Sequence, residues 1–264
     1  MHTLAIFGIS GRMGQSLLRA LRETPDLRLS GAIASAGSSR LGQDAAAEGE
    51  SNGVRVTADP VAGLRGASVA VDFSAASAAA DHVHACVTAG VPVLVGTTGL
   101  DAAGRGLLAQ AATHIPVLIA PNTSVGVGVL TKLVSMAAAG LGPAFDIEIS
   151  EAHHRLKRDA PSGTALALGE AAAATRGQTL QEVAIYERTA LSQPRTPGSI
   201  GFSVVRAGDI VGEHTVTFAA AGERVEITHR ATDRIIFARG ALRAARWLIG
   251  RPAGLYAMQD VIGL

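Results

Sequence analysis

Residues 151–165 read EAHHRLKRDAPSGTA and gather two histidines, a lysine, two arginines and an aspartate just ahead of an alanine-rich run. Neighbouring residues of an extended chain point to opposite sides. His153 and His154 therefore divide the work, one facing a cleft for proton transfer and the other binding. Lys157, four residues beyond His153, can return to the same pocket on a loop or a single turn. Pro161 and Ser162 open a helix, with Asp159 before them as its expected cap. The N–H groups of Ser162, Gly163 and Thr164 then form an anion site, in which Gly163 admits a ligand to the backbone and the Thr164 hydroxyl adds a donor. An imidazole, several cations and a helix N-terminus make a receptor for a carboxylated small molecule, with an acid to protonate it. The competing readings are a solvated charged turn and a metal site. Metal is disfavoured, because His153-His154 has no histidine partner at i,i+4 spacing and no nearby cysteine, and His82 and His84 lie on a separate helical pattern.

A second constellation stands at the other end of the chain. Gly8, Gly11 and Gly14 follow an apolar run directly and open a helical pattern, with Ile9, Ser10, Arg12 and Met13 between them. Gly11 and Gly14 keep the spacing of the last two glycines of the dinucleotide fingerprint, and the gap from Gly8 is one residue longer. Such glycines allow a tight turn, a close approach of backbone N–H groups to pyrophosphate, and close helix–strand packing. Arg12 adds a side chain for phosphate or adenosine. Where a carboxylate would receive the ribose 2′-hydroxyl, the chain runs from Ala34-Ser35 to Ser39-Arg40, with hydroxyls and an arginine instead. That favours a 2′-phosphate, hence NADPH over NADH, although Arg40 is equally readable as a solvated loop residue. Gly96-Thr97-Thr98-Gly99 and Ala120-Pro121-Asn122-Thr123-Ser124 follow two further strand patterns, at the strand ends where open α/β sheets bind ligands.

The elements that must carry these groups follow from periodicity. Apolar runs over 3–9, 27–34, 67–73, 91–97 and 115–120 lack polar alternation, so both faces are buried. Helical patterns over 15–23, 75–89 and 100–112 alternate with them, which predicts a Rossmann-like, doubly wound parallel sheet. The polar stretch 35–60 has little pattern. Beyond residue 125 a helix over 125–140 precedes an alternating, half-exposed strand over 145–150, and a second helix runs from about 162 to 175. Runs over 200–206, 211–220 and 224–231 read as antiparallel strands joined by turns at Gly208-Asp209 and Gly222-Glu223, and a last amphipathic helix covers 234–249. This predicts a second, α+β domain with a mixed or antiparallel sheet of about four strands.

Composition excludes several classes. A net charge of +1 provides no field for nucleic acid, and 3% aromatic residues are too few for a base-stacking platform. The one cysteine, Cys86, cannot form a disulfide within the chain and reads as a small buried apolar residue. Met1-His2-Thr3 leads straight into a strand pattern without a signal-peptide pattern, so a cytoplasmic location is expected. The apolar run near 125–142 is broken by Thr131, Lys132 and Ser135 and reads as a buried helix, not a membrane span.

Taken together the motifs resemble the 4-hydroxy-tetrahydrodipicolinate reductase (dihydrodipicolinate reductase) family. The likeness rests on the GxxGRMG loop at 8–14, Asp72-Phe73-Ser74, GTTG at 96–99, APNTS at 120–124, EAHHRLKRDAPSGTA at 151–165 and the tail GLYAMQDVIGL at 254–264. The resemblance implies hydride transfer from NADPH or NADH to C4 of a cyclic dicarboxylate, giving tetrahydrodipicolinate for diaminopimelate and lysine synthesis. It implies that His153 and Lys157 are the proton donors, and that His154, Gly163 and Thr164 hold carboxylates. It further implies that Gly8–Met13, Gly96–Thr98 and Ala120–Thr123 bind the coenzyme. A homotetramer built through the second sheet is implied, as is a discontinuous layout: 1–126 with 235–264 for the dinucleotide, 127–234 for substrate and oligomerisation. The chain departs from the family pattern at Ala34-Ser35, where members often carry an acidic or basic pair, and at Gly128, where many carry asparagine. Two other classes stay open on the residues alone: another NAD(P)-linked dehydrogenase on the same framework, and a non-catalytic NADPH sensor with no need of Lys157.

Overall fold

The computed structural model describes residues 1–46, 51–188 and 192–263. Its elements are, in order, β1 (His2–Phe7), α1 (Arg12–Leu21), β2 (Leu27–Ile33), β3 (Val56–Thr57), α2 (Pro60–Leu64), β4 (Val69–Asp72), α3 (Ala76–Ala89), β5 (Val93–Val95), α4 (Ala102–Ala111), β6 (Pro116–Ile119), α5 (Val125–Leu141), β7 (Asp146–His153), α6 (Gly163–Thr175), α7 (Leu180–Val183), β8 (Ala184–Ile185), β9 (Ile200–Arg206), β10 (Gly212–Ala220), β11 (Glu223–Ala231), α8 (Ile235–Leu248), β12 (Gly254–Ala257) and α9 (Met258–Ile262). They form two compact units, Met1–Val125 with Ile235–Gly263, and Gly126–Arg234.

The first unit is a parallel sheet in the order β12-β6-β5-β4-β1-β2-β3. Successive strand residues alternate between its two faces. Leu4 and Ile6 of β1 join the cluster that takes in Leu17 of α1 and Leu242 of α8, while Ala5 and Phe7 join the cluster of Val83 of α3 and Leu108 of α4. Both faces are covered, which explains the uninterrupted apolar runs. Chain direction reverses its lateral progress at β1, which pairs with both β2 and β4. The weakly patterned stretch 35–60 supplies β3 and the start of α2, both too short for periodicity to show. Asp59 caps α2 by accepting from the N–H groups of Val61 and Ala62. Cys86 is fully buried, and burial with the nearby Asp72 carboxylate pushes its thiol pKa up.

Within this unit Gly240 of α8 lies flat against the turn after β6. A Cβ there would overlap the Thr123 carbonyl oxygen, and the Thr123 hydroxyl donates to the Phe237 carbonyl at 2.7 Å. A glycine in a helix interior ordinarily costs ~1 kcal/mol relative to alanine. Here Gly240→Ala is expected to destabilise by ~1–3 kcal/mol instead, because the obstacle is backbone. Thermal unfolding of the variant reads the sign directly.

The second unit packs one face of a five-stranded sheet, ordered β11-β10-β7-β9-β8, against helices. Ile147 and Ile149 of β7 meet Leu130 and Val134 of α5, Leu168 and Ala172 of α6, and Val216 and Phe218 of β10. The expected hairpin between the strands at 200–206 and 211–220 does not form. β7 lies between them, parallel to β9 and antiparallel to β10, and five strands replace the expected four. A Gly-Asp turn marks a reversal but not which strand will fill the gap beside it. β7, buried at every second residue, takes the centre, where both edges are hydrogen-bonded. Among the described residues, no helix is long and apolar enough to cross a membrane.

Candidate active site

β7 alternates strictly, with Ile147, Ile149, Glu151 and His153 on its buried side. Two apolar residues are followed on the same face by a carboxylate and an imidazole, 2% and 8% exposed. His153 Nδ1 lies 2.6 Å from Glu151 Oε2. Register brings in the neighbours: Arg206 of β9 pairs with His153, and His214 of β10 pairs with Glu151. Arg206 grips the carboxylate with two nitrogens, Nη1 to Oε2 at 2.7 Å and Nη2 to Oε1 at 2.8 Å. Burial works to raise the Glu151 pKa, but bonds from Arg206, His153 and the Ser162 N–H outweigh it and hold the carboxyl below its ordinary range. His214 meets the His153 ring edge-on, centroids 5.2 Å apart, and burial pushes its pKa down to about 4, so it is neutral at pH 7.

Beyond β7 the chain turns sharply, with the Lys157 N–H donating to the His154 carbonyl at 3.1 Å. Lys157 Nζ pairs with Asp159 Oδ2 at 2.8 Å, and its charge is near enough to act against protonation of both His153 and His214. Asp159 is therefore not the cap of α6. Ser162 is, its Oγ accepting from the Ala165 N–H at 3.2 Å while lying 3.0 Å from His214 Nε2. The helix starts at Gly163, one residue after Ser162, so the cap position falls to the serine, while Asp159, three residues further upstream, pairs with the ammonium. The expected anion site is corrected at its first member too: the Ser162 N–H donates to Glu151 Oε1 at 2.9 Å, and Ser162 is buried. Gly163 is exposed, with nothing within 4 Å of where a Cβ would stand. Thr164 and His154 are half-buried.

In the first unit, the turns after β1, β4, β5 and β6 all leave the carboxyl end of one parallel sheet. Gly8 adopts φ +77°, and its carbonyl accepts from the Gly11 N–H at 2.9 Å. Gly11 caps α1 without a side-chain bond, and the first turn of α1 carries no acidic residue. Those N–H groups and the positive end of the helix dipole suit a pyrophosphate, so the residues present fit a dinucleotide. The Asp72-Phe73-Ser74 turn braces this loop. Asp72 accepts from the Ser74 N–H at 2.7 Å and from His82 at 2.9 Å, and Phe73 presses its carbonyl against Gly8 and its ring against Gly96. Ser10, Gly11, Arg12, Ser35, Thr98 and Pro121 are exposed, Gly8, Met13 and Asn122 half-buried, and Ile9, Gly96, Thr97, Ala120 and Thr123 buried. The buried ones can offer only backbone or shape. Ser10 Oγ meets Ser38 Oγ at 3.0 Å, and Arg40 Nη2 donates to the carbonyls of Asp44 and Ala46.

Comparison with known proteins gives the family. Residues 2–123 match the family model "Dihydrodipicolinate reductase, N-terminus", and 126–262 match "Dihydrodipicolinate reductase, C-terminus". A 4-hydroxy-tetrahydrodipicolinate reductase of Thiobacillus denitrificans is 53% identical over 99% of this chain and 98% of its own, and one of Anaeromyxobacter dehalogenans is 48% identical over 100% and 98%. The chain belongs to the 4-hydroxy-tetrahydrodipicolinate reductase family. It is an oxidoreductase that reduces 4-hydroxy-tetrahydrodipicolinate in diaminopimelate and lysine biosynthesis, with NAD(P)H as the hydride source. Among solved structures, a dipicolinate-bound dihydrodipicolinate reductase from Paenisporosarcina sp. TG-14 shares the fold at TM-score 0.78, 22% identity and 98% coverage of each chain.

Within this reductase, sequence reasoning passed over Glu151, Arg206 and His214. One signal was available: Glu151 shares the strand parity of Ile147 and Ile149, and a carboxylate on a buried parity needs a partner. No local pattern identifies that partner, since Arg206 lies 55 residues further on.

Proposed function

We propose that His153 and Lys157 deliver the protons of this reduction, in a unit (126–234) that binds substrate while 1–125 with 235–263 binds the dinucleotide. The observation that carries the reading is the convergence, in one unit, of a buried imidazole, an ammonium and the first turn of a helix opening at an exposed glycine. Bound NAD(P)H supplies the hydride. The chain's own residues do the rest. His153 and the Lys157 ammonium hold protons for the electron density that gathers on the substrate, general-acid help typically worth ~10²–10⁴ in rate. Gly163, Thr164 and His154 receive the carboxylates and so fix the ring's orientation.

The exposed Ser10–Met13 turn, Ser35, Thr98 and Pro121, with the backbone of Gly96, Thr97 and Ala120–Thr123, hold the coenzyme. NADPH is favoured: no carboxylate stands at the end of β2, and Arg40 is near by in sequence. Because Arg40 Nη2 already serves two carbonyls, the preference is modest. The enzyme works in the cytoplasm as a homotetramer, its subunits meeting through the second sheet, where Val204, Val205 and Val225 stand exposed.

The test mixes the protein with the condensation product of pyruvate and aspartate semialdehyde and follows nicotinamide oxidation. We expect turnover with both coenzymes and a kcat/KM favouring NADPH by less than ~10-fold, about 1.4 kcal/mol. A strong NADH preference would reverse the coenzyme assignment, and light scattering giving any mass but four chains would remove the tetramer.

A further inference from the structure

Glu151 makes more of this site than its neighbours do. It lies on the buried side of β7 and receives four hydrogen bonds: His153 Nδ1 and Arg206 Nη1 at Oε2, Arg206 Nη2 and the Ser162 N–H at Oε1. A carboxylate held ionised can only accept. Arg206 keeps it ionised through a bidentate grip, and also donates to the Asp159 carbonyl at 2.6 Å. The hydrogen between Glu151 and His153 therefore belongs to Nδ1, and Nε2 is left as the nitrogen that exchanges protons. Gly212 of β10 sits on the Nε2 side: a Cβ there would stand 3.0 Å from Nε2, so only glycine leaves that atom uncrowded.

We propose that Glu151, locked by Arg206, is the positioning residue of His153, fixing its Nδ1–H tautomer and tying the imidazole through Ser162 to the first turn of α6. The inference rests on the reading of His153 as a proton-exchanging group. It adds the reason the imidazole and the anion-binding turn keep a constant relation: one carboxylate holds both.

The groups facing His153 are Glu151 on its own strand, Arg206 on β9, His214 on β10 and Lys157 from the turn. Burial pushes the His153 pKa down, Glu151 opposes this, and Lys157 and Arg206 add to it. Removing the negative charge of Glu151 takes away the part that favours imidazolium, so the activity that depends on protonated His153 must move to lower pH.

Two readouts test this on the full-length enzyme. Nitrogen-15 spectra of histidine-labelled protein, with His153 assigned by difference against His153→Gln, should show Nδ1 protonated and Nε2 bare at neutral pH. In Glu151→Gln we expect that tautomer to be lost, kcat to fall ~10²–10⁴-fold as when a histidine's orienting carboxylate is amidated elsewhere, KM to move only a few-fold, and the pH profile to shift down. Glu151→Asp, which keeps the charge, should recover part of kcat. A Glu151→Gln enzyme with the wild-type tautomer, or a loss of kcat with an unmoved pH profile, would make Glu151 structural only. Should Glu151→Gln not fold, the wild-type tautomer and Gly212→Ala still decide: Nε2–H in the wild type, or unchanged kcat in Gly212→Ala, overturns the proposal. The spectra need no turnover, so they separate this failure from a failure of the proton-donor reading, which His153→Ala tests alone.

Discussion

Alanine at Lys157 or at His153 is expected to lower kcat by ~10²–10⁴-fold while leaving coenzyme affinity within about twofold. The two losses should not multiply in the double variant, because each proton donor acts on the same developing charge. The pH dependence carries the sign. Burial and the nearby Lys157 and Arg206 hold the His153 pKa below the ordinary imidazole range, against the pull of Glu151. A donor must be protonated, so the rate falls as pH rises through that pKa. In kcat/KM, which reports the free enzyme, this limb lies below the usual imidazole range. A bound dicarboxylate adds negative charge and favours imidazolium, so the limb in kcat lies at higher pH. In Lys157→Ala a neighbouring positive charge is gone, and the residual limb moves up. Steady-state kinetics across pH with the purified variants checks all three statements. Wild-type turnover in either alanine variant would discard the assignment of these two residues even with the reaction unchanged.

A side chain at Gly14 should abolish useful dinucleotide binding. Its Cβ would stand 2.5 Å from the carbonyl oxygens of both Gly8 and Ile9 and 2.6 Å from the Ile9 Cα. All three obstacles are backbone, so the loop after β1 must open or α1 must move away. Either displaces the N–H groups that suit a pyrophosphate. Gly14→Val is expected to weaken NADPH binding by at least ~10²-fold, the equivalent of about 3 kcal/mol, with a lowered Tm. Gly37→Ala is the control: nothing lies within 4 Å of its Cβ and its φ is not positive, so binding and stability should stay as they are. Titration calorimetry with NADPH on both variants separates a lost loop from a general loss of stability. Wild-type affinity in Gly14→Val would detach the glycine loop from the coenzyme.

The parallel sheet and the charged segment were legible in the sequence for different reasons. The parallel sheet announced itself because burial on both faces demands apolar residues without alternation, and β1, β4 and β5 are buried along nearly their whole length. The charged segment at 151–165 announced itself because so many titratable groups in a row need an explanation. The placement of β9 could not be read. The turn signal at Gly208-Asp209 predicts a hairpin with β10, whereas β9 pairs in parallel with β7, a strand far earlier in the chain, and β7 lies between the two. That insertion has a chemical consequence. With β7 in the middle, Arg206 reaches Glu151 from one side and His214 lies opposite it on the other. Asp159 is not the cap of α6 because the helix starts at Gly163, later than the Pro161–Ser162 start that the sequence suggests, which makes Ser162 the cap.

By itself the sequence determined the chemistry available: glycines at 8, 11 and 14 against a strand end, and imidazole, ammonium and helix start within residues 153–164. These are local features, set by backbone freedom and side-chain type over a few residues. The tertiary structure alone decided which of those groups are already spent. Ser162 gives its N–H to Glu151, Asp159 its carboxylate to Lys157, and Arg206 both ends of its fork to a carboxylate far off in the chain. A buried charge has to find its counterpart wherever strand pairing places one, and pairing partners are chosen by the whole sheet's packing, which no short stretch encodes.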